Sequence, residues 1–323
     1  MSRRNWILAG LAGAAVLAGS ATGVSAQAPA GAPPATATAP GKPPAVVNGE
    51  AIPRAELDAA LKQTQQSAVQ LTEDQRRAQQ MQALGMLVDN LLMKQFLLKN
   101  AAAPSAADVD ARVAAIAAEL AKDHKTTQDL LKESGESEAA LRADLGLALR
   151  WESYSKAKVT EADVAKYYKD NKDFFDRVLV RASQIVLRVP PNATEADKAK
   201  TRQQLADLRA QLIANKIDFA EAAKKYSQSP EATNGGDVGY IPRKFVVDEN
   251  FARAAFATPV NGISDVVQTG YGLHLIKVTE RKAGEPSDYA KIKDDVREFC
   301  VEEMRLGLVN DLRRSGKVEI TLP

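Results

Sequence analysis

The spacing of apolar residues changes once along the chain, and this change limits the folds that the chain can adopt. From residue 46 to about 157, apolar residues recur every three or four positions, which is typical of amphipathic helices. From 178 to about 283, short runs rich in Val, Ile and Leu are separated by Gly turns and helical stretches, which is typical of strands mixed with helices. The sequence therefore predicts an α+β protein with a helical lobe and one small sheet-containing domain.

The helical part opens with two strand-like pieces around a turn at Asn48-Gly49. Thr72 and Gln75 have the spacing of a capping box, so a helix is expected to begin after Thr72. The most regular apolar stripes comprise Leu84, Leu87, Val88, Leu91 and Leu92, and then Leu141, Leu145 and Leu149. Such stripes normally form an intramolecular core. A groove for extended, unfolded peptide is the alternative.

The first 26 residues have the pattern of a signal peptide. Arg3 and Arg4 precede the uncharged run 6–19, and small residues follow as far as Ala26. We expect cleavage after Ala26 and a periplasmic location; an uncleaved membrane anchor facing the periplasm is the alternative. No cysteine lies near the cut, so no lipid anchor is predicted. Residues 27–45 are rich in Pro and Ala and are interpreted as a linker.

Charge and cysteine content exclude several classes of protein. Without Arg3 and Arg4, the 43 basic residues become 41, equal to the 41 acidic residues, which argues against a nucleic-acid binder. Cys300 is the single cysteine, and His124 and His274 are the only histidines. Intramolecular disulfides, Cys-rich zinc sites and iron–sulfur clusters are therefore excluded, a cysteine or metal hydrolase is disfavoured, and we predict no cofactor or metal.

Five segments of the second part together resemble the parvulin-type peptidyl-prolyl isomerase domain. They are residues 180–187, 218–220, 226–229, 235–239 and 269–276. The resemblance covers roughly 105 residues and implies elements in the order β-ααα-ββ. The helical first half and the ending Lys317-Val318-Glu319-Ile320 are similar to exported foldases of the SurA and PrsA type.

The resemblance implies four parts after the linker. Residues 46–157 would form a chaperone domain, 158–177 a connecting helix and 178–283 the parvulin domain, while 284–323 would return to the helical lobe. The predicted strands of the parvulin domain are Val178–Val189, Ile263–Thr269 and Leu273–Thr279. The C-terminal helix is expected at about Ser287–Arg314. The tail Val318–Leu322 is expected to pair with Val46–Val47.

The resemblance also implies a polar group of site residues. His274 corresponds to the second of two histidines that face each other in parvulins, and Thr269 supports that pair by hydrogen bonding. The chain departs from the pattern twice, because Gln184 replaces the first histidine and Ser229 stands where Asp or Cys is usual. Glutamine can still orient His274 but cannot titrate.

The implied proline pocket is apolar. Val238 corresponds to one wall, Phe251 to the aromatic floor, and either Phe245 or Val246 to the usual Met or Leu, because this stretch is one residue longer than is typical. Tyr271 completes the substrate-binding set.

Two functions follow as expectations. The first is a peptidyl-prolyl cis–trans isomerase and chaperone for unfolded or nascent exported proteins with X–Pro segments, its isomerase activity weakened by Gln184. The second is a holdase whose parvulin domain only binds prolyl peptides. Phosphopeptide specificity is not expected, because Arg188 is followed by Val189-Pro190-Pro191 rather than by basic residues.

Overall fold

The computed structural model describes residues 42–64, 72–190 and 193–322. The chain divides into two compact units, of which the first combines the part up to Thr160 with Phe299–Pro323, and the second is Glu161–Glu298. The predicted signal peptide and the linker as far as residue 41 lie outside the described residues. No helix within the described ranges has the length and apolar character needed to cross a membrane.

The first unit contains both ends of the described part of the chain. Its elements are β1 (Ala45–Val47), β2 (Glu50–Ile52), α1 (Arg54–Thr64), α2 (Glu73–Asn100), α3 (Ala106–Ala121), α4 (Thr127–Ser134), α5 (Glu138–Lys158) and β7 (Val318–Ile320). The strands form an antiparallel sheet in the order β2-β1-β7, with Val47 opposite Val318. The predicted pairing of the C-terminal tail with Val46–Val47 is confirmed.

Local signals in the sequence set the helix ends of this unit. The Thr72 hydroxyl accepts the Gln75 N–H, and the Gln75 side chain accepts the Thr72 N–H, so the predicted capping box is present. The core comprises Ala45, Val47, Ile52, Leu57, Ala83, Leu84, Val88 and Leu92, and Leu312 and Val318 pack against it. Most of the stripe on α2 is therefore intramolecular core, because its buried members pack on β1, β2 and α1.

The second unit contains a four-stranded antiparallel sheet. Its elements are α6 (Glu161–Asp170), α7 (Lys172–Phe175), β3 (Leu179–Arg188), α8 (Glu195–Ile213), α9 (Phe219–Tyr226), a 3-10 helix (Pro230–Asn234), β4 (Asp237–Pro242), α10 (Glu249–Ala257), β5 (Val267–Thr269) and β6 (Gly272–Lys282). The strand order is β4-β3-β6-β5. The predicted order β-ααα-ββ is confirmed, with β4 as the short strand at the Gly turn.

Helix α11 (Tyr289–Ser315) crosses the boundary between the units, since its residues up to Glu298 belong to the second and those from Phe299 to the first. Within the second unit, Glu161 of α6 forms ion pairs with Lys293 and Arg297 of α11. The Tyr168 hydroxyl donates to the Ser287 carbonyl oxygen at 2.8 Å. These contacts join the beginning of α11 to the segment that precedes β3.

Alternation along β3 and β6 gives the sheet two different faces. One face carries Ile185, Leu273 and Leu275 and packs on α8 and α9. The other face carries Val180, Ala182, Ile276 and Val278, and it packs on Phe251 and Ala255 of α10. Gln184 and His274, which occupy even-numbered positions like Val180 and Ile276, lie on the α10 face.

The predicted strand Ile263–Thr269 is wrong in its first half, because only Val267–Thr269 forms a strand. Ile263 makes an isolated bridge with Lys277. The reason lies at Ser264, whose hydroxyl accepts the Ile276 N–H at 3.0 Å. A side chain thus takes the place that a backbone carbonyl occupies in a regular ladder.

Candidate functional site

His274 lies on β6, 4% exposed, and both of its ring nitrogens have hydrogen-bond partners. Nδ1 lies 3.0 Å from Gln184 Oε1 on β3, and Nε2 lies 2.7 Å from Thr269 Oγ1 on β5. The strand order explains the arrangement, since β6 runs between β3 and β5. Gln184 is paired with Ile276 and therefore sits diagonally across from His274, within the reach of a long side chain.

The hydrogen-bond partners determine the tautomer of His274. A carbonyl oxygen can only accept, so the Nδ1–H of His274 donates to Gln184 Oε1. Nε2 then accepts from the Thr269 hydroxyl, and the Thr269 oxygen accepts the Tyr271 N–H at 3.0 Å. This assignment holds for the neutral ring, in which one nitrogen donates and the other accepts.

Burial favours the neutral form of the His274 ring. Desolvation of the ring lowers the pKa of His274 from 6.5 to about 4, although the negative charge of Asp248 opposes the shift. At neutral pH the site therefore presents an uncharged imidazole that is held on both sides. Such a group can shape a pocket and exclude water from it. Both of its nitrogens are already hydrogen-bonded, so they are poorly placed to transfer a proton.

An apolar cluster adjoins the polar residues on the same face of the sheet. The Phe251 ring meets the His274 imidazole edge to face, with centroids 5.6 Å apart. Phe251 is 5% exposed and packs with Ile241 and Ile276, and the partly buried Val238 lies against this cluster. The structure thus brings His274, Gln184 and Thr269 together with Phe251, and places Val238 in the same cluster.

The side chains of four other expected site residues lie apart from this group. Tyr271, Phe245 and Val246 are 78%, 75% and 67% exposed, and the Phe245 ring packs edge to face on Phe174 of α7. Phe245 adopts a left-handed backbone, with φ of 74°. The Ser229 hydroxyl lies 3.2 Å from that of Ser227. Within the described ranges, Ser229 makes no hydrogen bond to Gln184 or His274.

Sequence reasoning missed two residues in the same loop. Val247, rather than Phe245 or Val246, packs against the cluster around Phe251. Its neighbour Asp248 caps α10 by accepting the N–H groups of Asn250 and Phe251, and it is the charge that acts on His274. The extra residue in this stretch was the available signal, because an insertion shifts the inward-facing position by one.

The described ranges contain no cluster of three or more His, Cys, Asp or Glu side chains that could hold a metal ion. The arrangement around His274 instead offers an apolar surface beside a neutral, fully hydrogen-bonded imidazole. Such a site suits recognition of an uncharged group.

Comparisons with known proteins give matches for both parts of the chain. Residues 185–280 match the family of the PPIC-type PPIASE domain, and residues 2–154 match the SurA-like N-terminal domain. A foldase protein PrsA from Geobacillus sp. (strain WCH70) is 32% identical over 210 residues, which span 62% of this chain and 68% of that protein.

Two further proteins are similar over different shares of their length. A chaperone SurA from Dechloromonas aromatica (strain RCB) is 33% identical over 145 residues, which span 44% of this chain and 30% of that protein. The crystal structure of a peptidylprolyl isomerase (PrsA) from Bacillus anthracis is 23% identical with a TM-score of 0.43, covering 71% of this chain and 96% of that one.

Proposed function

Because the chain belongs to the PrsA-type foldase family, we propose that it is a peptidyl-prolyl cis–trans isomerase and a chaperone for unfolded proteins. The observation that carries the isomerase assignment is the apolar cluster of Phe251, Val238 and Val247 beside a neutral, buried His274. We assign the substrate as exported polypeptide with X–Pro segments and expect no nucleic-acid partner, since the mature chain is charge-balanced.

The reaction makes and breaks no covalent bond. Rotation about an X–Pro bond passes through a twisted amide that has lost its resonance, with a barrier of about 18–20 kcal/mol. A site that binds the twisted amide better than either planar form accelerates the rotation, and each 1.36 kcal/mol of preference gives about tenfold in rate.

Each part of the site has a distinct task in this scheme. The proline ring is placed against Phe251, with Val238 and Val247 as apolar walls. Gln184 and Thr269 hold the His274 ring, and His274 closes the side of the pocket from which water is excluded. The site acts by shape and desolvation, because the neutral ring has both nitrogens engaged.

A protease-coupled assay on a prolyl peptide tests the isomerase function. We expect the wild type to accelerate isomerisation above background and His274→Ala to lose most of this acceleration. Gln184 in place of the family histidine predicts a low rate. An absence of any rate above background, together with suppressed aggregation of an unfolded client, would establish the non-catalytic holdase instead.

We assign the chaperone function to residues 46–157 with 284–323, the isomerase to 178–283 and the connection to 158–177. Support for a peptide-binding role comes from a cleft of about 600 Å³ in the first unit, near the start of α3 and the end of α5. Its lining combines Ala103, Ala111, Ala115 and Leu149 with the Arg112–Glu152 ion pair. Small apolar side chains flanked by charges leave room for an extended chain of varied sequence.

Filling the cleft tests that role separately from isomerisation. Ala111→Trp is expected to weaken suppression of client aggregation severalfold and to leave the isomerase rate unchanged. Ala114→Trp is the matched control, because Ala114 is exposed on the same helix and does not line the cleft. Equal effects of the two substitutions would refute the assignment of the cleft.

We also propose that residues 1–26 direct export and are removed after Ala26, and that the protein works in the periplasm. The linker predicted over 27–45 is proposed to end before Ala45, because Ala45 is buried in β1. N-terminal sequencing of the periplasmic fraction is expected to begin at Gln27. An intact N-terminus in the membrane fraction would instead support the uncleaved anchor.

A further inference from the structure

One carboxylate beside the site is not used in the scheme above. Glu231 lies in the 3-10 helix before β4, and its Oε2 accepts a hydrogen bond from Gln184 Nε2 at 3.3 Å. We propose that Glu231 is a positioning residue of the isomerase site: through Gln184, it determines which nitrogen of His274 carries the proton. The proposal rests on the proposed isomerase function for its catalytic meaning, although its structural claim is tested independently.

The chemistry follows from the direction of each hydrogen bond. A carboxylate only accepts, so the NH₂ group of Gln184 must turn toward Glu231 and its carbonyl oxygen toward His274. The opposite amide orientation would place the Gln184 oxygen against the Glu231 oxygens, which repel it. The proton of His274 is thereby held on Nδ1, and Nε2 is left to accept from Thr269.

The backbone fixes Glu231 in this place. The Gln184 N–H donates to the Gly236 carbonyl oxygen at 2.8 Å, and the Gly236 N–H donates to the Glu231 carbonyl oxygen at 2.9 Å. Gly236 has a φ of 78°, and a Cβ there would lie 2.1 Å from the Gln184 carbonyl oxygen. Only glycine allows the turn to approach β3 this closely, so the turn brings Glu231 within reach of Gln184.

The contact of Glu231 with Gln184 matters because a glutamine amide has two orientations of nearly equal shape. With the amide reversed, Gln184 would donate to Nδ1, the proton of His274 would move to Nε2, and the bond with Thr269 would reverse its direction. The Glu231 carboxylate beside the amide disfavours that second arrangement, because it can only accept. Glu231 therefore favours one arrangement at the position where the family resemblance implies a histidine.

Nitrogen-15 NMR of the histidine rings reads the tautomer directly in the full-length protein. The wild type is expected to carry the His274 proton on Nδ1, and Glu231→Ala is expected to shift the tautomer ratio about three- to tenfold toward Nε2–H. The isomerase kcat/KM is expected to fall by a similar factor. The sequence has only two histidines, so exposed His124 serves as the reference signal.

Three further variants make the test specific. Glu221→Ala removes an exposed carboxylate that pairs with Lys224 on neighbouring α9, and it should leave His274 unchanged. Glu231→Gln keeps the side-chain volume but lets both amides turn, so it should also mix the tautomers, and it replaces Glu231→Ala should that variant not fold. In a Gln184→Leu background, Glu231→Ala should have no further effect on His274.

An unchanged His274 spectrum in folded Glu231→Ala overturns the proposal, as does an equal change in Glu221→Ala or a further shift in the Gln184→Leu background. Failure of the proposed function would look different. The wild type would then show no isomerase rate, while the ring spectra would still report whether Glu231 sets the tautomer.

Discussion

The two faces of the four-stranded sheet are covered by helices, but they differ in chemistry. The face toward α8 and α9 buries aliphatic and aromatic side chains, such as Leu205, Leu275 and Phe219. The face toward α10 combines an apolar cluster with the hydrogen-bonded set of Gln184, His274 and Thr269. One sheet thus carries a face that provides stability and a face that carries the site.

The difference shows how a small domain combines stability with a polar site. A buried imidazole costs free energy unless each nitrogen is hydrogen-bonded, and here neighbouring strands supply both partners. The α8 and α9 face contains no such requirement and can be packed for burial alone. We therefore expect substitutions on the α8 and α9 face to change stability alone, and those in the polar set of the α10 face to change activity as well.

Leu205→Ala should give the largest effect and acts on the face without the site. Leu205 is fully buried on α8, so removing its side chain leaves a cavity and should lower the free energy of unfolding by about 3 kcal/mol. The isomerase kcat/KM per folded molecule should stay unchanged. The free energy of unfolding is measured by urea unfolding, which is followed by the NMR signals of the second unit. A large loss of activity at full folding would show that the two faces are coupled.

The pH dependence of stability tests the other face. The pKa of His274 is about 4 in the folded protein, against its ordinary value of 6.5 in the unfolded chain. Between these values the unfolded chain binds a proton that the folded chain does not. Stability from this residue is complete above pH 6.5 and should be lost progressively as pH falls to about 4, by about 3 kcal/mol.

Unfolding measured from pH 7.5 to 3.5 checks this prediction. His274→Gln should abolish that part of the pH dependence, whereas His124→Gln, at an exposed position in the first unit, should retain it. Identical pH curves for the wild type and His274→Gln would contradict it. The isomerase rate of the wild type should be nearly flat from pH 6 to 8, because His274 stays neutral there.

The sequence predicted the fold better than the site because the two depend on different information. Alternation and capping are local, so β3, β6 and the Thr72 cap could be recognised. The contact between Gln184 and His274 spans 90 positions, and only the resemblance placed it.

The position of Val247 depends on how one extra loop residue is accommodated, which alternation does not specify. Phe245 could not be located from the sequence either, because its ring packs on Phe174, about 70 residues earlier in the chain. Both are consequences of loop geometry and tertiary packing rather than of local residue preference.

Thr269→Val removes the hydroxyl that is hydrogen-bonded to His274 Nε2, with little change in the shape of the side chain. Nε2 of His274 would lose its donor and remain buried, so kcat/KM should fall about ten- to thirtyfold, as expected for an unsatisfied buried group. Thr279→Val is the control, because Thr279 also lies on this sheet but its hydroxyl donates to the Arg181 carbonyl oxygen. Equal losses for the two variants would mean that general damage to the sheet, rather than the His274 bond, lowers the rate.

Gln184→His should give the smallest effect, and with the opposite sign. It restores the histidine that the family resemblance implies, and two facing imidazoles can exchange tautomers where a glutamine held by Glu231 cannot. We expect kcat/KM in the protease-coupled assay to rise about three- to tenfold, on the scale of one hydrogen bond. Gln228→His, on the segment before the 3-10 helix, is the control. An unchanged or lower rate in Gln184→His would show that the site does not need a histidine at this position. The α10 face would then be adapted to the Gln184 amide and Glu231, and the glutamine would not be the cause of a low rate.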